Sequence, residues 1–279
     1  MPTIVHLSDL HFSDIEPGSD DALVDAVRSL LPDVIVVSGD LTLAGRTAEF
    51  RDARAFLDRL ERPTLVVPGN HDIPAFNLFD RFLRPLGRYH ELITEEREPT
   101  ITRPDLCMLG LNTARPYDFS WNWSHGRFSE RQIRAADDYF GEQAACPFKC
   151  LVVHHPFFLP DGLAGFRVVG RAEAMLETLG RRGVDLVLAG HLHRGFWRAH
   201  EHVAPDGRRH MLVVQASTAT SVRRRDEPNS FNHLRLEGDT LTLTPWSRGT
   251  GAFERQHPTC FRRTREGWLD DGQDPPGTP

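Results

Sequence analysis

Over its first two thirds, the 279-residue chain alternates short apolar runs with amphipathic stretches. TIVHLS (3–8), DVIVVS (33–38), TLVVP (64–68), DLCMLGLN (105–112), KCLVVHH (149–155) and VDLVLAG (184–190) are rich in β-branched residues and show little polar alternation. That is the pattern of strands covered on both faces. Between them, DALVDAVRSL (21–30), TAEFRDARAFLDRL (47–60), SERQIRAADDYF (129–140) and GRAEAMLETLGRRG (170–183) carry apolar residues at helical spacing. Ser129 is a natural helix N-cap, and Gly183 a natural stop. Downstream, 208–218, 231–238 and 239–246 read as β, with a hairpin turn at Gly238-Asp239. The order predicts an α/β chain with sheets at the centre and helices outside. Loops are long at 84–104 and 113–127, and the second carries Trp121, Trp123 and His125. No repeat or linker divides the chain. A single catalytic domain over 1–258 is expected, with 259–279 as a C-terminal extension, partly disordered because 265–279 is rich in polar residues, Gly and Pro.

Composition narrows the function classes. The net charge is −6, with 33 basic against 39 acidic residues. A nucleic-acid-binding protein usually shows a basic face, so nucleic acid is an unfavoured partner. Cys107, Cys146, Cys150 and Cys260 lack the second pair a zinc ribbon needs and read as free thiols, which fits a reducing compartment. The first residues lack the basic segment of a signal peptide, and no apolar run approaches the roughly 20 residues that span a bilayer. A cytoplasmic location and no membrane partner are expected.

The chemistry sits just beyond the strands. Asp9 and His11 follow the first. Asp40 follows the second. Asn70, His71 and Asp72 follow the third. His154 and His155 come next, then His191 and His193. Each motif alone has an ordinary reading as a turn, a helix entry or a packed histidine. Strand ends of an α/β sheet gather in one crevice, however, and side chains of these types at one crevice are metal ligands.

In this order, D-x-H (9–11), G-D (39–40), G-N-H-D (69–72), H (154) and G-H-x-H (190–193) resemble the calcineurin-like metallophosphoesterase superfamily. HHP (154–156) and RRRDEPNSFN (223–232) are most similar to its cyclic-nucleotide and glycerophosphodiester phosphodiesterase branch. The resemblance implies a four-layer α+β sandwich, with two central mixed β-sheets flanked by helices. It implies two metal ions (Mn, Fe, Zn or Co), one on Asp9, His11, Asp40 and His193, the other on Asp40, Asn70, His154 and His191, with Asp40 shared. The implied reaction is in-line hydrolysis of a small phosphodiester by water that the metals ionise. His71 would serve the leaving-group oxygen and Asp72 would orient it. Contacts to substrate are expected from His155, Trp121, Trp123, His125 and Arg225, with Arg223 and Arg224 beside the last. A nuclease, a phosphomonoesterase or phosphoprotein phosphatase, and an inactive metal-binding scaffold are the alternatives. The C-terminal β region offers an edge for a homodimer.

Overall fold

The computed structural model describes residues 1–117, 124–160, 163, 165–204, 207–225 and 227–271. The strands form one hydrogen-bonded path folded into two leaves. The first leaf holds β1 (Thr3–Leu7), β2 (Val34–Val37), β3 (Thr64–Val66), β10 (Ser230–Glu237), β11 (Thr240–Arg248), β12 (Phe253–Arg255), β13 (Thr259–Thr264) and β14 (Gly267–Asp270). The second holds β4 (Thr100–Thr102), β5 (Cys107–Gly110), β6 (Lys149–Val152), β7 (Leu186–Ala189), β8 (Phe196–Ala204) and β9 (Gly207–Gln215). The leaves meet through the register pair Gly267–His210.

Period-two alternation then fills three apolar layers. Ile4, Val34, Val36 and Leu65 pack between the leaves against Met108, Cys150, Leu186 and Leu212. Their neighbours Val5, Leu7, Ile35 and Val37 face outward onto α1 (Ser19–Leu30) and α2 (Thr47–Leu60), through Leu23, Val27, Phe50 and Phe56. On the other side, Leu151, Val153, Val187 and Ala189 meet α5 (Glu130–Glu142) and α6 (Ala172–Arg181), through Phe140, Met175 and Leu179. Helix, sheet, sheet and helix make the expected four layers. The strands read as unbroken apolar runs because both faces are buried.

Three expectations change. The segment 84–104 is not one long loop. It contains the end of a helical pair, α3 (Leu78–Leu83) and α4 (Gly87–Leu92), and the edge strand β4. The strand β8 was not legible in its mixed sequence, FWRAHEHVA. The extension after 258 is not separate either: it supplies β13 and β14, and Phe261 and Trp268 enter the layer between the leaves. Two large aromatics outweigh the polar composition around them. All four cysteines are free, and no helix among the described residues is long and apolar enough to cross a membrane.

Candidate metal centre

The parallel strands β1, β2, β3, β6 and β7 end on the same edge of the sandwich, and their following residues converge there. Five of these residues have left-handed backbones: Asp9 (φ 53°), His11 (49°), Asp40 (53°), His191 (79°) and His193 (52°). Such conformations are unfavourable outside glycine and cluster at functional sites. Surrounding hydrogen bonds hold them. Thr218 Oγ1 donates to the Asp9 carbonyl (2.6 Å), Thr220 Oγ1 to that of Leu10 (2.6 Å), and Ser217 Oγ to that of His193 (3.1 Å). The segment behind the site, 215–221, thus acts as a brace that sequence reading did not single out.

The side chains form two adjoining groups. In the first, His193 Nε2 lies 3.1 Å from Asp9 Oδ1 and 3.0 Å from His11 Nε2. His11 Nε2 lies 3.8 Å from Asp40 Oδ2. In the second, His154 Nε2 is 3.4 Å from Asp40 Oδ2, 3.2 Å from Asn70 Oδ1 and 3.3 Å from His191 Nδ1. Asp40 Oδ2 therefore stands between the groups, as a shared ligand must.

The donor atoms fit metal ions. Backbone carbonyls accept at the Nδ1 atoms of His11 (Thr42, 3.3 Å), His154 (Ser38, 2.7 Å) and His193 (Arg223, 2.6 Å). A carbonyl only accepts, so each Nδ1 holds a ring proton, and in the neutral ring that a metal ion requires each Nε2 presents a lone pair. Two lone pairs 3.0 Å apart, on His11 and His193, repel unless a cation lies near. Asp9 Oδ2 accepts from Ser8 Oγ (2.5 Å) and His191 N (2.9 Å), while buried Oδ1 has no hydrogen-bond partner. Asp40 Oδ1 accepts from His71 N (2.8 Å), leaving Oδ2 for the centre. Burial opposes charge on Asp40, yet His154 and His71 hold its carboxyl well below the usual range. Burial likewise opposes charge on His154, but Asp40 outweighs it and raises the pKa to about 9. The site attracts positive charge.

Glycines make the convergence feasible. Gly39 takes a left-handed turn (φ 94°). Gly69 and Gly190 serve close approach instead: a Cβ would fall on the Asp40 carboxylate at the one and on Ser8 Oγ at the other.

Above the ligands is a cleft of about 560 Å³, lined by Asn70, His71, Ser124, Phe166, His191, His193 and the run Arg223–Arg224–Arg225. His71 Nδ1 lies 2.6 Å from the Leu43 carbonyl, so it bears a proton there and Nε2 faces the cleft, 3.5 Å from Arg223 Nη1. Arg225 lines this cleft, with its guanidinium over the Phe166 ring (4.4 Å).

Several assignments are corrected. Asp72 does not touch the His71 ring. Its carboxylate accepts from the amides of Leu41 (3.3 Å), Thr42 (2.9 Å) and Gly69 (2.9 Å) and from Thr42 Oγ1 (2.9 Å), so it fixes the loops that carry Asp40 and Asn70. His155 does not face the cleft: Nδ1 pairs with Thr113 Oγ1 (2.7 Å) and Nε2 with the Ser124 carbonyl (3.0 Å). Although it stands near His154 and His191, both nitrogens are engaged, and it serves as backing for His191. His125 lines a different cavity, with Arg115 and Tyr117. Trp121 and Trp123 lie outside the described residues. Phe166 and Ser124 join the cleft without any signal in sequence spacing.

Comparison with known proteins agrees with this geometry. Residues 2–195 match the calcineurin-like phosphoesterase family. A probable cyclic nucleotide phosphodiesterase from Rhodopseudomonas palustris is 26% identical over 232 residues, 80% of this chain and 81% of that protein. A second, from Synechococcus, is 27% identical over 63% of each chain. A glycerophosphodiester phosphodiesterase from Enterobacter lignolyticus is 38% identical over 95 residues, 30% of this chain and 33% of that protein. The match thus spans less than two thirds of the last two proteins. Among solved structures, a dimetal phosphatase from Danio rerio superposes with a TM-score of 0.61 at 18% identity, covering 91% of this chain and 98% of that one. A purple acid phosphatase from yellow lupin gives 0.67 at 14% identity, covering 91% and 52%. These two share the fold. The family match over residues 2–195 places this chain in the calcineurin-like phosphoesterase family, and its His/Asp groups are ones that could hold metal ions.

Proposed function

We propose that the chain hydrolyses a phosphodiester of a small organic molecule, such as a cyclic nucleotide or a glycerophosphodiester. The observation that carries this reading is the cleft: small, cationic on one side, and walled by an aromatic ring under Arg225. A phosphodiester needs both a place for its anion and a surface for its organic arm. The relatives named as phosphodiesterases support the same choice.

Asp9, His11, Asp40 and His193 would hold one metal ion, and Asp40, Asn70, His154 and His191 a second. When bound, such ions supply the acidity that ionises water near neutral pH and offset charge on the phosphate. Asn70 contributes a neutral oxygen, which keeps the centre from repelling an anion. His71, anchored by Leu43, presents Nε2 toward the cleft and in its protonated form donates to the departing alkoxide. Arg223, beside that nitrogen, offsets charge developing there. Mn, Fe, Zn and Co all suit this donor set, and supply decides among them.

A nuclease is disfavoured because several arginines of the other arginine-rich segments are already paired. Arg182 binds Asp137, Arg262 binds Asp271, and Arg263 binds Asp185. The free thiols fit the cytoplasm.

The test is hydrolysis of bis(p-nitrophenyl) phosphate against p-nitrophenyl phosphate, on metal-stripped protein before and after adding Mn²⁺. Metal-dependent turnover favouring the diester, and lost in Asn70→Ala and His71→Ala, is expected. A preference for the monoester would refute the reading and indicate a phosphatase. Absence of turnover despite bound metal would indicate a scaffold.

A further inference from the structure

The short helix α3 has its polarity inverted. The residue it buries is Arg81, whose guanidinium donates to the carbonyls of Pro116 (2.8 Å) and Pro74 (3.0 Å). Its apolar residues face solvent instead: Leu78 is 54% exposed, Phe79 71%, Phe82 51% and Leu83 65%. Leu78 and Phe82 are four apart, as are Phe79 and Leu83, so the four side chains form one continuous face. Phe76, 80% exposed, extends it at the N-terminal end, beneath the Arg46 guanidinium (5.5 Å). Apolar side chains exposed at this density mark a surface that something else covers.

A cationic cavity of about 480 Å³ adjoins this face at Leu83. Arg84, Arg97, Arg115 and Arg131 line it, and its described lining contains no carboxylate. Two of the four are engaged: Arg131 pairs with Glu98 (2.7 Å), and Arg115 donates to the Arg127 carbonyl (2.9 Å) and Gln132 Oε1 (3.1 Å). Arg84 and Arg97 are exposed and form no ion pair with a described residue. Positive charge without a counter-charge thus stands beside an apolar face.

These two features together select the occupant. A second copy of the chain would bring apolar side chains but no anion for Arg84, because Asp80, the one carboxylate of α3, is already bound by Arg88 and Asn77. An anionic lipid leaflet brings both. Its acyl boundary takes leucine and phenylalanine side chains, and its headgroup phosphates take arginines. The expectation of no membrane partner rested on the lack of a spanning segment, which does not bear on a helix that lies on the surface.

We propose that α3 and the adjoining arginine cavity form a docking surface for an anionic phospholipid membrane. Phe79 and Phe82 enter the acyl boundary, and Arg84 and Arg97 meet headgroup phosphates. The assignment concerns where the chain sits and is independent of the diester reading.

The test is sedimentation of the full chain with vesicles of phosphatidylcholine alone, and of phosphatidylcholine mixed with phosphatidylglycerol, at low salt. Binding to the mixed vesicles is expected, at least about 10-fold tighter than to phosphatidylcholine alone, as for two arginines at an anionic surface. Phe79→Ser combined with Phe82→Ser is expected to weaken it by about 10-fold or more, as for two phenylalanines kept in water. Arg84→Ala combined with Arg97→Ala is expected to bring the two vesicle types within about 3-fold of each other. Val203→Ser, which removes a similarly exposed side chain on β8 (73%), is expected to leave binding unchanged. Thermal melting verifies that each variant is folded. A chain that stays in the supernatant with both vesicles would overturn the proposal. So would equal binding to both, binding unmoved by the phenylalanine or arginine pair, or an equal loss in Val203→Ser. A dimer by light scattering that the phenylalanine pair dissolves would overturn it too, and assign the face to a second copy.

Discussion

Gly69 shows how much a single missing atom decides at the residue scale. A Cβ there would fall on the Asp40 carboxylate, the group shared by both ligand sets, and 2.5 Å from the Asp40 amide nitrogen. Gly69→Ala should displace Asp40. We expect the bound metal to fall by at least one ion per chain by elemental analysis, and overpacking to cost roughly 1–3 kcal/mol in denaturant unfolding. Full metal occupancy in that variant would contradict the shared-ligand assignment. His6 carries a different prediction. It is fully buried against Ser38 Oγ (2.9 Å), and burial lowers its pKa to about 3. Between pH 6.5 and 3 the unfolded chain binds a proton that the folded chain refuses, so acidification destabilises the fold. The slope is at most about 1.4 kcal/mol per pH unit from this one group. His6→Gln should flatten the acid limb of the stability–pH curve; an unaltered limb would assign it to other groups. The convergence of the candidate ligands was legible in the sequence, because strand ends gather and their residue types are few. The role of Asp72 was not. A carboxylate two residues from Asn70 looks like a partner for His71, and only geometry reveals that it caps amides while Leu43 holds the ring.

At the scale of elements, legibility follows burial. Strands covered on both faces, such as β2 and β7, announce themselves as apolar runs. So does α5, where Ser129 Oγ accepts from Gln132 N (3.2 Å) and Gln132 Oε1 accepts from Ser129 N (3.0 Å). Ser129→Ala should lower stability by about 1 kcal/mol while leaving metal content unchanged. Calorimetry with elemental analysis checks both, and a loss of metal would mean that the cap also acts on the site. Elements that bury one or two residues stay silent. The short helix α4 buries Tyr89 among polar neighbours, and β14 buries Trp268 beside acidic residues and a turn. Yet Trp268 fills space between the leaves, with Phe148 at 5.9 Å. Trp268→Ala should cost about 3–5 kcal/mol, in the range for a large buried aromatic. A loss under about 1 kcal/mol would return 259–271 to the status of a dispensable extension.

The whole molecule joins two opposed tendencies at one edge. Five of the candidate ligand residues are held in left-handed conformations, each unfavourable by roughly 1–2 kcal/mol. Four histidines and two carboxylates are buried there with lone pairs facing one another. The sandwich supplies the rigidity that tolerates this, through three apolar layers and the brace at 215–221. Metal ions would relieve it, because they bind the folded centre and not the dispersed ligands of the unfolded chain. Mass action then sets the size of the effect: about 2.7 kcal/mol per site when free metal is 100 times its Kd. For a chain of this length that corresponds to a rise in Tm of roughly 5 °C per site. Metal-stripped protein should therefore melt lower, and its Tm should climb with the logarithm of added Mn²⁺. Asn70→Ala should remove about half of that climb, since it weakens one ligand set and spares the other. A Tm indifferent to metal would mean that the protein frame alone balances the buried ligands, and the fit of this centre to two cations would fail.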